Sequence, residues 1–126
     1  MTQWWAPYIG RPFHPESFSC WGLVRAVYRA ELGIELPAYG EVSARDLVRV
    51  VRAMRDFDGP QWGEAVGGCD YDVVLMRGTG GATRVIHCGL MAGGEVLHVE
   101  EASATVRVPV HHLSVAGRIM GYRRPL

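Results

Sequence analysis

The sequence predicts an α+β domain, with N-terminal helices packed on a C-terminal antiparallel sheet. Three observations carry this prediction. Apolar residues recur at helical spacing after Cys20 and again from Leu47 to Met54. From Gly59 onward short apolar runs of strand length replace them. Between two of those runs stands Gly93-Gly94, a two-residue hairpin turn. Helices first and strands after is the order of an α+β fold. With 126 residues and neither an internal repeat nor a linker, residues 1–126 are expected to form one domain.

Taken in order, Trp4 to Gly10 is an aromatic segment with room for one or two helical turns, stopped by Gly10 and Pro12. A polar loop from His14 to Ser17 leads to Cys20. Leu23, Val24 and Val27 share the Cys20 face at helical spacing, while Arg25 and Arg29 face away. Ser17 or Ser19 caps this helix and Gly33 is placed to end it. A second helix follows a capping box, Ser43-Ala44-Arg45-Asp46, and turns Leu47, Val48, Val51 and Met54 inward. Its arginines 45, 49, 52 and 55 read as a solvated face. Expected strands are 72–76, 84–92, 95–100, 105–110 and 118–123. The glycine-rich loop from Gly78 to Gly81 lacks the lysine and following helix of a phosphate cradle.

Composition excludes several classes. Thirteen basic and thirteen acidic side chains cancel, so no global field favours nucleic acid or an anionic membrane. No apolar run approaches the ~20 residues of a membrane span. The first residues lack the basic start and apolar core of a signal peptide, so synthesis in the cytoplasm without Sec export is expected. Three cysteines, 20, 69 and 88, form no C-x-x-C pair, which argues against a disulfide framework or structural zinc.

The chemistry gathers around Cys20. A thiol in the first turn of a helix faces unpaired N–H groups and the positive end of the dipole, which favour the thiolate. A tight turn at Gly93-Gly94 pairs Ala92 with Glu95 and Met91 with Val96, placing Gly89 opposite His98 and His87 opposite Glu100. His87, His98 and Glu100 then share one side of the sheet, with Cys88 and Leu90 on the other. This supplies a nucleophile, a base and a group to orient the base. Geometry allows either His98 or Glu100 in the third role. Each residue also has an ordinary account: Cys20 as core filling, His87 as a half-buried strand histidine, His98 and Glu100 as a surface pair. Cys20, His87 and His98 are a conceivable metal set, but without a carboxylate or cysteine at close ligand spacing no metal is expected. His111-His112 reads as surface.

Several of these residues carry a resemblance. Cys20-Trp21-Gly22-Leu23-Val24-Arg25 is similar to the cysteine motif of the NlpC/P60 family, and His87-Cys88-Gly89-Leu90-Met91 to its histidine motif. Val96-Leu97-His98-Val99 falls where that family carries its third polar residue. Asp72-Val73-Val74-Leu75 resembles its G-D-V strand with Tyr71 in the glycine's place, and Tyr8 to Phe13 resembles its opening segment. The tryptophan after the cysteine looks most like the phage-tail branch, to which gene transfer agents carry similar proteins.

The resemblance implies a papain-like fold and a thiol protease that hydrolyses peptidoglycan stem peptides, often at a D-glutamyl–diaminopimelate bond. Cys20 would be the nucleophile, His87 the base and His98 its partner, with Trp21, Phe13 and Glu100 as substrate-binding residues and no cofactor. Partners would be stem peptides and a tail or other carrier protein, and the location a virion tail or phage-like particle. Departures from the pattern are Ser19 for the usual aspartate, Phe13 for the usual tyrosine, and a missing W-G-G. They keep alive a tail assembly or tip protein with little activity, and more remotely another Cys-His acyl-transfer enzyme or amidase.

Overall fold

The computed structural model describes residues 3–15, 17–36, 62–78, 85–101 and 103–125. Among them is one α-helix, α1, over Cys20–Val27. Its start is set by Ser19, whose backbone is extended and whose Oγ accepts the Gly22 N–H at 3.2 Å, satisfying one first-turn donor. Leu23, Val24 and Val27 are fully buried, while Arg25 is half-buried and Arg29 exposed, as the helical spacing requires. After Val27 the coil widens into a π-type turn over Tyr28–Leu32, and Gly33 ends it in the left-handed region at φ 65°.

Six strands follow: β1 Trp62–Ala65, β2 Val73–Arg77, β3 Val85–Ala92, β4 Glu95–His98, β5 Val106–Pro109 and β6 Ile119–Pro125. They form one antiparallel sheet in the order β1-β6-β2-β3-β4-β5. The C-terminal strand thus enters between β1 and β2. At Gly93 (φ 58°) and Gly94 (φ 83°) the two-residue turn has the positive φ values that glycine supplies without steric cost, and it fixes Ala92 opposite Glu95 and Met91 opposite Val96.

The papain-like α+β fold with N-terminal helices is overturned. A six-stranded antiparallel sheet with one short α-helix dominates the described residues. Trp4 to Gly10 contributes a single 3₁₀ turn, Ala6–Tyr8, within the one or two turns expected, with Pro7 in its first turn and Gly10 beyond its end at φ 87°. The helix expected after Ser43 lies outside the described residues. The sheet gains β1, which was not anticipated because Trp62-Gly63-Glu64-Ala65 offers a short, mixed pattern with a central glycine. None of the described helices is long and apolar enough to cross a membrane.

Each sheet face has its own core. On the helix side Trp21, Leu23, Val24, Val27 and Tyr28 pack against Val73, Leu75, Cys88, Leu90 and Leu97. Val74, Met76, Met91, Val96 and Val115 form a smaller cluster on the other side. Tyr71, at φ 74°, occupies a conformation that a bulky side chain rarely adopts. It is held there by its N–H to Met91 O at 2.9 Å, by the Tyr28 hydroxyl donating to its carbonyl at 2.6 Å, and by its ring against Trp4 at 4.6 Å. The glycine usual at this place in the resembling motif would adopt that φ without the steric cost.

Candidate active site

Cys20 is the first residue of α1, and α1 lies on the helix-side face of the sheet. His87 belongs to the opposite face: it is paired with Met76, and opposed residues in antiparallel strands share a side. The two side chains nevertheless meet. The ladder between β3 and β4 runs from Ala92–Glu95 to Leu90–Leu97, whereas β3 itself extends back to Val85. α1 packs against β3, with Cys20 and Cys88 in the same buried cluster, and Cys88 and His87 are the groups that act on the Cys20 thiol. Both residues are nearly enclosed, Cys20 at 2 % and His87 at 6 % exposure.

His98 completes the row. Its Nδ1 lies 2.9 Å from His87 Nε2, and the rings meet edge to face with centroids 5.1 Å apart. His87 Nε2 is therefore engaged by His98, leaving Nδ1 as the ring nitrogen for the Cys20 sulfur. Glu100 stands 3.7 Å from the same Nε2 through Oε1, beyond hydrogen-bond length. That oxygen is taken by Arg118, which is braced by the carbonyls of Arg77 (3.0 Å) and Ser114 (3.0 Å).

These contacts set the charge states. The Cys88 thiol's hydrogen bond, followed by the hydrogen bond and charge of His87, pulls the Cys20 pKa well below that of a free thiol against the opposing effect of burial. Its partner moves the other way: the hydrogen bond to Cys20, burial and the charge of Cys20 keep Cys88 protonated. Burial, reinforced by the positive charge on His87, pushes His98 down to about 4. His98 is thus neutral near pH 7, and its Nδ1 can accept a proton-bearing Nε2 of His87. For Glu100, burial raises the pKa, but Arg118 and the two histidines outweigh it and hold the carboxyl below its usual range.

His87, His98 and Glu100 are thus brought together, with Cys20 acted on by His87, while the other two expected substrate residues belong to the core around Cys20. Trp21 is 2 % exposed inside the helix-side core, and Phe13 is half-buried against the same core. Three residues were given no role at the site from the sequence. Cys88 as a neighbour of Cys20 and Arg118 as the partner of Glu100 leave no local signal. Gly89 does leave one, since a lone glycine inside a strand marks a close approach. A Cβ there would lie 2.6 Å from Leu97 O and 2.9 Å from His98 Cβ.

One donor per residue from His87, His98 and Glu100 lies within 4.8 Å of the others, a spacing that could hold a metal ion. A cation there would have to break the His87–His98 contact and compete with Arg118 for Glu100. The donor set is better matched to proton handling. No protein-family model matches the chain, and no curated protein matches it.

Proposed function

We propose that this protein is a cysteine hydrolase that cleaves an amide bond in peptidoglycan stem peptides. What supports this is the grouping of Cys20, His87 and His98: the charge of His87 lowers the pKa of the Cys20 thiol, and His87 Nε2 lies 2.9 Å from His98 Nδ1. The resemblance of the cysteine and histidine motifs directs the substrate class, including the D-glutamyl–diaminopimelate bond and delivery by a phage-tail or gene-transfer-agent particle.

The Cys20 thiolate attacks the carbonyl carbon, and its own N–H, at the helix start where intrahelical acceptors are absent, donates to the oxyanion. His87 carries a proton on each ring nitrogen at this stage. Nδ1–H protonates the leaving amine, the C–N bond breaks and a thioester remains. Neutral His87 then takes a proton from water, whose oxygen attacks the thioester and releases the acid and the Cys20 thiolate. Throughout, Nε2–H of His87 donates to neutral His98, which holds the ring in place.

A tail component with little activity is a second reading, favoured by the 2 % exposure of Cys20, which restricts approach to the sulfur. Incubation with purified sacculi and mass spectrometry of the released muropeptides separates the two. New stem-peptide amine termini that vanish with Cys20→Ala support hydrolysis. Intact sacculi, or release unchanged in Cys20→Ala, refute it.

A further inference from the structure

The hairpin that carries the base also gathers three metal-binding donors, and proton transfer uses only part of what they offer. One ligand atom each from His87, His98 and Glu100 lies within 4.8 Å of the other two, the one such group of three among the described residues. β3 supplies His87, the last residue of β4 is His98, and Glu100 follows two residues later. Zinc holds tetrahedral ligands at ~2.0–2.1 Å, which sets their donor atoms about 3.3 Å apart. His87 Nε2 lies 2.9 Å from His98 Nδ1 and 3.7 Å from Glu100 Oε1, so the two separations fall on either side of that value. Two imidazoles and one carboxylate are also a ligand set that zinc takes with its fourth position left to water. Both rings are enclosed, at 6 % and 3 % exposure, whereas the Glu100 side chain keeps 37 %, which leaves the carboxylate side as the way in.

We propose that His87 Nε2, His98 Nδ1 and the Glu100 carboxylate form a binding site for one zinc ion, which holds the site in an inactive arrangement. The proton between the two ring nitrogens leaves to solvent, and zinc takes a lone pair from each nitrogen in its place. The His87–His98 hydrogen bond is thereby replaced by two metal–nitrogen bonds. Zinc sits at the Nε2 edge of the His87 ring, away from Nδ1, so the Cys20 sulfur is not a ligand. Arg118 already bonds the carboxylate, as the outer partner of a ligating carboxylate does. Its positive charge opposes the incoming cation, so zinc should bind reversibly, at micromolar concentration, and not as a permanent structural ion. The row thus handles protons when free and holds zinc when zinc is supplied. Removal of His98 from His87 then halts hydrolysis, a consequence that rests on the function proposed above; the binding of the ion does not.

The test is equilibrium dialysis of the full chain against zinc chloride, with bound metal counted by atomic absorption. Its readout is the metal itself, so it does not depend on whether peptidoglycan is the substrate. Cys69→Ser and His112→Asn are controls for the exposed thiol and the exposed His111-His112 pair. The expected result is one zinc per chain in wild type and in both controls. Binding should weaken at least about 10-fold in His98→Gln and in Glu100→Gln, no less than the loss of an outer-shell partner causes. Glu100 is partly exposed, so Glu100→Gln decides alone if His98→Gln does not fold. Cobalt(II) in place of zinc should give the visible bands of a four-coordinate nitrogen and oxygen site, without the near-ultraviolet band of a cobalt–thiolate bond. No bound zinc up to millimolar concentration, binding that Glu100→Gln leaves intact, binding lost in a control variant, or a thiolate band overturns the proposal.

Discussion

The helix-side face of the sheet is a packed apolar core in which Trp21, Leu23, Val24, Val27, Tyr28, Leu90 and Leu97 are all at most 2 % exposed. The opposite face buries fewer apolar residues and surrounds a polar row, His87, His98, Glu100 and Arg118. The first face presents the sulfur, through α1, and the second presents the base. Neither has the other's chemistry. They meet where α1 packs against β3. A thiol can therefore be held by an apolar core while the imidazole that acts on it sits in a polar environment.

Breaking the polar side alone should have the largest effect. His98→Ala removes the acceptor for His87 Nε2, and we expect kcat on a muropeptide to fall by about 10²–10³-fold, in the range of a positioned acid–base group. Glu100→Gln should stay within a few-fold of wild type, since Arg118 already engages that carboxylate. Steady-state kinetics on both variants tests the division of roles. A larger loss in Glu100→Gln would move the orienting role to the carboxylate.

The polar face should also set acid stability. His98 titrates at about 4 in the folded chain against an ordinary 6.5, through burial and then the charge of His87. Between these values the unfolded chain binds a proton that the folded chain does not, so stability falls as pH drops through the window and levels off below it. The full span amounts to about 3 kcal/mol. Urea denaturation midpoints of wild type and His98→Gln between about pH 4 and 7 check this. The slope should flatten in the variant, with the Glu100 carboxyl, held below its usual range by Arg118 and the histidines, contributing at the acid end.

Both faces feel Gly89. Its missing Cβ lets Leu97 O and His98 Cβ approach the strand, so Gly89→Ala must push β4 away. We expect about 1–3 kcal/mol of lost stability by chemical denaturation, as for overpacking elsewhere. Activity should fall further than stability explains, because His98 moves with β4.

How far the sequence could be read differs between the faces. The hairpin was legible because Gly93-Gly94 permits a two-residue turn, and alternation then assigns His87 and His98 to one side and Cys88 to the other. The cysteine helix was legible from the spacing of Leu23, Val24 and Val27 and from its serine cap. Sheet order was not: β6 pairs with β1 and β2 through contacts far apart in the chain, which no local pattern encodes. The same holds for Arg118, which reaches Glu100 from the end of that last connection. The aromatic segment from Trp4 to Gly10 was legible too: its one 3₁₀ turn lies within the one or two turns expected there.

The central claim is that the meeting of the two faces ionises Cys20, and selective alkylation tests it most directly. At about pH 6, where an ordinary thiol is almost wholly protonated, iodoacetamide followed by peptide mapping should label Cys20 well before Cys88 and before the exposed Cys69. His87→Ala should slow the Cys20 reaction and leave that of Cys69 unchanged. Labelling of Cys69 ahead of Cys20, or a Cys20 rate indifferent to His87, would contradict the claim.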